Sequence, residues 1–300
     1  MNTLKSGFVT VVGRPNVGKS TLLNAVLGQK VSIVSNVPQT TRYVIRAVLN
    51  TENTQIVFVD TPGIHLFKYK LSSELNAIAF NSLQGVEVIL YMVDCSRQPQ
   101  AEEEKIMDIL IKSRMPVIMA LNKIDKSRKF LNDYIELWQD KTGGNTEPVK
   151  YFIPVSALQK ININDLLDAI NEFLPEQEPY YSKDTVTDFP LTYRVADIIR
   201  EKLCSSLRQE LPHQIAVEVE DINQQDKIVH IFTNIIVNSD SQKSIVVGSK
   251  GSMVKNIGIL SRRDLEELFE KKVFLKLKVK VEKDWHNKLR ILRQLGYTGI

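Results

Sequence analysis

Cysteine is nearly absent: the 300 residues contain two, Cys95 and Cys204, far apart along the chain. Two distant thiols build neither a disulfide framework nor a zinc site of recognisable spacing, so secreted disulfide scaffolds and zinc modules are excluded and a cytoplasmic setting is expected. Long apolar runs are also missing. The longest lies near 86–93, well short of the roughly 20 residues needed to cross a bilayer. Residues 1–10 lack the apolar stretch and small-residue cleavage site of a secretory leader, so none is expected. The chain has no internal repeat and no low-complexity tract. Net charge is small at +4, but it is unevenly spread. From residue 243 to the end, 14 Lys/Arg face 6 Asp/Glu, a balance of +8 that leaves −4 on the preceding 242 residues. A basic last fifth on a slightly acidic remainder suggests a polyanion partner for that part, although charge alone favours a solvated surface.

With 43% hydrophobic and 25% charged residues, the chain is an ordinary globular protein long enough for two domains. Strand-like and helix-like segments alternate through the first 174 residues. Phe8–Val12 is β-branched and ends in glycine, and Ser20–Leu27 has helical spacing. Val44–Leu49 and Thr54–Val59 flank a hairpin turn at Asn50–Asn53. Val86–Val93, Val117–Leu121 and Val149–Val155 are apolar as buried parallel strands are. Ala101–Ser113 opens with acidic residues, as a helix does, and Asn164–Leu174 is a second amphipathic helix. This is the rhythm of an α/β sheet with helices on both faces and one antiparallel strand. Residues 175–190, with three prolines and a Tyr-Tyr pair, read as a linker. Residues 191–300 read as an α+β domain. Thr192–Leu207 is helical, and Gln214–Asp221 and Lys227–Val237 alternate as half-buried strands. The apolar stretch Ile245–Val247 runs into a glycine-bounded turn, followed by a helix over Ser252–Phe269 and a strand over Val273–Val281.

Four short motifs each end a strand of the first domain. Gly13-Arg14-Pro15-Asn16-Val17-Gly18-Lys19-Ser20 matches the phosphate loop. Its glycines let backbone N–H groups turn inward around phosphates, and the helix that follows adds its positive dipole end. Lys19 would reach the β- and γ-phosphates and the Ser20 hydroxyl would bind Mg²⁺, with Val17 and Thr21 completing the cradle. Asp60-Thr61-Pro62-Gly63 supplies a carboxylate for Mg²⁺ and an N–H, that of Gly63, for the γ-phosphate. Asn122-Lys123-Ile124-Asp125 would read the base. The Asp125 carboxylate can accept from N1–H and the 2-amino group of guanine, which adenine lacks, while Asn122 can bond N7 and the Lys123 stem can cover the ring. Ser156-Ala157-Leu158 places the Ala157 N–H near guanine O6. One such motif arises easily by chance; four in order, each at a strand's carboxyl end, identify a guanine-nucleotide site.

These motifs resemble the GTPases of the translation-factor-like superfamily. Gln39-Thr40-Thr41-Arg42 narrows the resemblance to the Thr-Thr-Arg branch that includes the Era family. The resemblance implies that a threonine of this segment, Thr41 before Thr40, binds Mg²⁺ in the GTP state, with switch loops near 31–43 and 60–75. Ile64 stands where Ras-like enzymes place a water-orienting glutamine, so a slow intrinsic hydrolysis on the order of 10⁻⁴ to 10⁻² s⁻¹ is expected. In related enzymes an asparagine at the position of Asn16 accompanies activation by K⁺, which makes a K⁺ ion near Asn16 a further expectation. His65 reads as a surface residue of the switch rather than a base.

In the basic part, Gly248-Ser249-Lys250-Gly251 opens a helix and is followed by Val254-Lys255-Asn256-Ile257-Gly258. Two glycines bring backbone close to a phosphodiester, and Lys250 and Lys255 favour its charge. This is the KH pattern for clamping four nucleotides of a single strand, and its element order matches the second KH topology. Lys276, Lys278 and Lys280 share one strand face, where they extend an RNA surface or, more simply, solvate an edge. Glu210-Leu211-Pro212-His213 and the segment Trp285–Tyr297 also resemble the Era family, so the resemblance covers about residues 6–297. The chain departs from that family at Leu66-Phe67-Lys68-Tyr69-Lys70, where a basic, proline-containing run is usual. The resemblance implies a monomeric switch that binds GTP or GDP and single-stranded ribosomal RNA near the 3′ end of the small-subunit molecule and acts in subunit assembly; it permits weak association with the inner membrane face, for which the sequence offers no strong amphipathic anchor. An RNA-modifying GTPase of the same branch would bring a further catalytic domain and often a chain-terminal cysteine, whereas this sequence ends Thr298-Gly299-Ile300. An RNA-binding scaffold with a merely structural nucleotide site would not need complete phosphate, Mg²⁺ and base motifs.

Overall fold

A computed structural model describes residues 4–33, 42–62, 70–207 and 211–298. The described residues divide into two compact units: Phe189 onward, together with Ile33 and residues 70–74, form the second, and the rest form the first. The first carries a six-stranded sheet in the order β2-β3-β1-β4-β5-β6. Its strands are β1 (Lys5–Val12), β2 (Ile45–Asn50), β3 (Thr54–Asp60), β4 (Val88–Asp94), β5 (Val117–Asn122) and β6 (Val149–Pro154). β2 pairs antiparallel with β3, and every other pairing is parallel. The helices are α1 (Lys19–Leu27), α2 (Lys70–Asn81, in this unit from Leu75 onward), α3 (Ala101–Ser113), α4 (Leu131–Lys141) and α5 (Ile163–Asn171).

The apolar runs are continuous because the sheet is covered on both sides. Along β4, Val88, Leu90 and Met92 join Leu22 and Leu23 of α1 and Leu166 and Ile170 of α5. The alternate residues Ile89, Tyr91 and Val93 join Ile106 and Met107 of α3 and Tyr134 and Trp138 of α4. Period-2 alternation sends successive side chains to opposite faces, and both faces are core.

The stretch expected to be a linker is fastened to this first unit. Ser6 N–H donates to the Pro175 carbonyl and Val48 N–H to the Val186 carbonyl. Thr187 bridges to Ala47 of β2. Gln55 and Tyr181 exchange two hydrogen bonds of 2.8 and 3.0 Å, and Arg46 pairs with Asp188 at 3.0 Å. The free edge of β2 is thereby covered, which removes an exposed strand edge.

The second unit contains α6 (Leu191–Ser206), β7 (Ala216–Gln224), β8 (Ile228–Val237), α7 (Asp240–Val247), α8 (Ser252–Phe269), β9 (Lys272–Val281) and α9 (Leu289–Gln294). Its sheet runs β7-β8-β9, antiparallel then parallel. α6 and α8 pack on one face through Val195, Ile199, Ile257 and Leu265 against Val217, Ile231 and Val273. One expectation is corrected. Ile245–Val247 does run into the glycine-bounded turn, but as the last turn of α7, a helix the expected element order lacks, which Ser239 caps by accepting from Gln242 N–H. Only Val246 of the three is buried, and Ile245 is exposed, so the β-branched run concealed a helical period.

Candidate functional site

Five carboxyl-terminal strand ends converge in the first unit, where β1 lies between β3 and β4 and the connections leave it in opposite directions. That crevice is where open α/β sheets bind ligands. The loop after β1 turns tightly. Gly18 has φ 110°, and a Cβ there would lie 2.3 Å from the Asn122 amide nitrogen, which is itself committed to Val17 O at 2.7 Å. No side chain fits at that position.

Lys19 is 6% exposed and curls back over the loop, donating to the Gly13 and Arg14 carbonyls at 3.0 and 3.1 Å. Burial pulls its pKa down to about 8, opposed in part by Asp60. Asp60, fully buried, is pushed the other way by burial, against the opposing effects of Lys19, Ser32 and Ser20. Each charge is thus under-compensated, as expected of a site built to receive a charged ligand. Ser20 and Ser32 hydroxyls both donate to Asp60 Oδ2 at 3.0 Å, while Asp60 Oδ1 is buried without a hydrogen-bond partner among the described residues. A hydroxyl and a buried carboxylate with a spare oxygen suit a hard cation of the Mg²⁺ type, whose remaining ligands come from phosphate and water. Among the described residues no cluster of three or more His, Cys, Asp or Glu offers a competing site. Thr40, Thr41, Gly63, Ile64, His65, the segment 66–69 and Glu210 lie outside the described residues.

Asn122 acts as a tie. Its buried amide donates to Val17 O, and its carbonyl accepts from Ala157 N–H at 3.0 Å. The phosphate loop, β5 and the 156–157 turn are therefore joined through one side chain. Lys123 has φ 68°, and its ammonium reaches the Asn16 carbonyl at 2.5 Å and Asp94 Oδ2 at 2.7 Å. Asp125 is exposed at the mouth, where its Oδ1 accepts from the Ser156 hydroxyl at 2.5 Å. Thr21 follows Ser20 in the first turn of α1. Direct contacts thus bring Gly13, Asn16, Val17, Gly18, Lys19, Ser20, Asp60, Asn122, Lys123, Asp125, Ser156 and Ala157 together, with the Val17 side chain itself buried in the core.

Several supporting residues carry no motif signal. Asn24 of α1 accepts from Val31 and Ser32 N–H and donates to Ser32 O, which aims Ser32 at Asp60. Arg14 is clamped by Glu102 and Glu103 at the start of α3. Asp94 holds Lys123.

In the second unit the loop 248–251 joins α7 to α8. Gly248 has φ 74°, and a Cβ there would lie 2.7 Å from Met253 Cβ and 2.8 Å from Met253 N. Lys250 adopts φ 50°, and Ser249, Lys250 and Lys255 are exposed. Backbone N–H groups at the start of an 18-residue helix and two exposed lysines make a surface for an anion. Lys278 and Lys280, by contrast, are engaged with Glu220 at 3.8 and 3.0 Å, and their ammonium groups hold its carboxyl near a pKa of about 2, after the larger effect of Asn234.

A family model described as 50S ribosome-binding GTPase matches residues 8–123, and a KH domain model matches residues 210–286. The chain is 44% identical over 296 residues to GTPase Era of Alkaliphilus metalliredigens, covering 98% of this chain and 99% of that protein. The chain belongs to the GTPase Era family. GTPase Era of Staphylococcus haemolyticus is 42% identical over 299 residues, covering 99% and 98%. Among solved structures, Era in complex with MgGDPNP and nucleotides 1506–1542 of 16S ribosomal RNA superposes with a TM-score of 0.93 at 38% identity, covering 99% of this chain and all of that one. A variant of Aquifex aeolicus Era bound to GDP·AlF₄⁻ gives 0.92 at 37% identity, covering 99% and 100%. The chain is accordingly a GTPase with a P-loop domain and a KH domain, as the α/β and α+β readings of its two halves anticipate.

Proposed function

We propose that this GTPase acts as a slow switch in small ribosomal subunit assembly, binding GTP with Mg²⁺ in its first unit and single-stranded ribosomal RNA, near the 3′ end of the small-subunit molecule, in its second. The observation that carries this reading is the presence in one chain of a buried Lys19 curled over the phosphate loop beside the Ser20–Asp60 pair and of the 248–251 loop with no buried residue, in a protein alike from end to end to an Era that holds both ligands. Domain limits are taken as 1–174 and 191–300, with 175–190 joining them.

Asp125 selects guanine, Asn122 and Lys123 hold the base pocket against the phosphate loop, and Ala157 N–H lies beside the base. Lys19 and the loop N–H groups bind phosphates, and Ser20, Asp60 and Thr41 bind Mg²⁺. Gly63 N–H contacts the γ-phosphate. Ile64 supplies no polar atom to orient water, so hydrolysis is slow and serves as a timer. A K⁺ ion near Asn16 helps neutralise charge between the phosphates; equal hydrolysis rates in K⁺ and Na⁺ buffers would remove it. The protein works as a cytoplasmic monomer. Both cysteines are free and buried, and no helix among the described residues is long and apolar enough to cross a membrane.

The deciding experiment is RNA crosslinking mapped to single bases in the GTP-analogue and GDP states. Crosslinks at the 3′ end of small-subunit RNA that change with nucleotide are expected. Crosslinks confined to transfer RNA would sink the ribosomal role, and a map indifferent to nucleotide would sink the switch. Phosphate release by the wild type, lost in Lys19→Ala, separates the enzyme from an RNA scaffold.

A further inference from the structure

Asp94 ends β4 opposite Asn122, its partner in register on β5. It lies beside the base-reading motif without belonging to it. We infer that Asp94 is a positioning residue of the GTPase site: its carboxylate fixes Lys123 so that the lysine stem lies across the guanine ring while the ammonium stays on the phosphate-loop carbonyl of Asn16. This rests on the guanine reading of residues 122–125.

The geometry is specific. The Asp94 side chain is 6% exposed. Ser96 N–H and Oγ hold Oδ1 at 3.1 and 2.6 Å, which turns Oδ2 toward Lys123 Nζ at 2.7 Å. Arg97 Nε lies 3.6 Å from the same oxygen. Despite burial, the bonds from Lys123 and Ser96 lower the Asp94 pKa, so the carboxylate stays charged opposite the ammonium. Lys123 sits in the left-handed region at φ 68°, a conformation disfavoured for a non-glycine residue. That turn carries its side chain back over the end of β4. A lysine has four rotatable bonds and prefers hydration. Pinned at Nζ between Asn16 O and Asp94 Oδ2, it lies across the mouth as a bar instead of extending into water. The same two contacts link the base end of the crevice to its phosphate end.

The test measures release of a fluorescent N-methylanthraniloyl GDP from the full chain. Asp94→Asn keeps an acceptor for Ser96 but loses the charge on Lys123. Release should accelerate about 10- to 100-fold, the worth of a hydrogen bond between charged groups. Combined with Lys123→Ala, Asp94→Asn should add nothing, because its effect passes through that side chain. A residue that only holds the fold together would add its full effect to the double variant. Release within twofold of the wild type, or additive effects, would overturn the assignment. Where Asp94→Asn does not fold, Ser96→Ala serves: it removes the shorter of the two bonds that orient the carboxylate and leaves the one from the Ser96 N–H, so it should accelerate release, by less than Asp94→Asn, with Lys123 present but not without it, and an equal effect in both backgrounds overturns the proposal. Asp125→Ala checks the reading underneath, because unchanged GDP affinity there would refute the base assignment whatever Asp94 does.

Discussion

Lys19 makes a prediction that needs no ligand. In the folded protein its pKa is about 8 instead of 10.5. The native state therefore gives up this proton at lower pH than the unfolded state, and between those values the unfolded chain binds more protons. Stability must rise with pH across the window of about 8 to 10.5 and carry a constant penalty below it. The displacement corresponds to about 3 kcal/mol, at 1.36 kcal/mol for each factor of ten in proton affinity. Urea unfolding of the nucleotide-free protein, compared with Lys19→Met at intervals from about pH 7 to 10.5, isolates this contribution from the other lysines and tyrosines that titrate there. Trp138, fully buried in the first unit, reports on that unit alone once Trp285, in the second, is replaced by Phe. Wild type should gain about 3 kcal/mol on Lys19→Met over the window. Saturating Mg²⁺ and GDP should flatten the gain, because phosphate oxygens stabilise the ammonium that burial disfavours. Parallel curves for the two proteins would refute the idea that the cradle strains its own lysine.

Asp125→Asn should lower GDP affinity by about 10²- to 10⁴-fold, two hydrogen bonds to a charged group, and should favour xanthine nucleotides, whose 2-oxo group accepts from the new amide; competition titration reads both. Gly18→Ala forces a Cβ to 2.3 Å from Asn122 at φ 110° and should cost about 1–3 kcal/mol of first-unit stability and most nucleotide binding, seen by urea unfolding and nucleotide titration. Ser249→Asp with Lys250→Asp, both exposed, should leave the second unit's melting unchanged while reducing binding of a single-stranded RNA at least tenfold, since two phosphate contacts become repulsive. An unaltered affinity would remove the loop from the RNA site.

Much of the fold is legible because burial imposes period. Ala101–Ser113 and Ser252–Phe269 carry clear apolar stripes and are helices over those same residues. The strands of the first unit are continuous apolar runs because helices cover both faces of the sheet. α7 is hidden because its three β-branched residues are adjacent and only one is buried. α4 is hidden because it is mostly polar, its packing concentrated in Tyr134 and Trp138 one turn apart. The attachment of residues 175–188 combines backbone bonds, such as Val48 N–H to the Val186 carbonyl, with side chains scattered along the first unit, such as Asn50, Gln55 and Arg46. Neither makes a period or a motif, so proline and polar content read as linker.

The site divides along a related line. Residues that meet the nucleotide directly are legible because the ligand's chemistry is invariant: phosphate requires N–H groups and a lysine, and guanine requires a carboxylate opposite two donors. Residues that aim them answer only to protein geometry. Asn24 serves Ser32 through three bonds to backbone, a task any side chain of matching length and polarity at another position could perform. Asp94 serves Lys123 from a strand whose other residues read as plain core. If Asp94 positions Lys123 as inferred, the ligand contacts alone describe a pocket that binds, and residues outside the motifs set how long the nucleotide stays. Dissociation rates, more than equilibrium selectivity for guanine, should therefore respond to substitutions outside the motifs, and Asp94→Asn should speed release while leaving the preference for guanine over adenine, set by Asp125, unchanged.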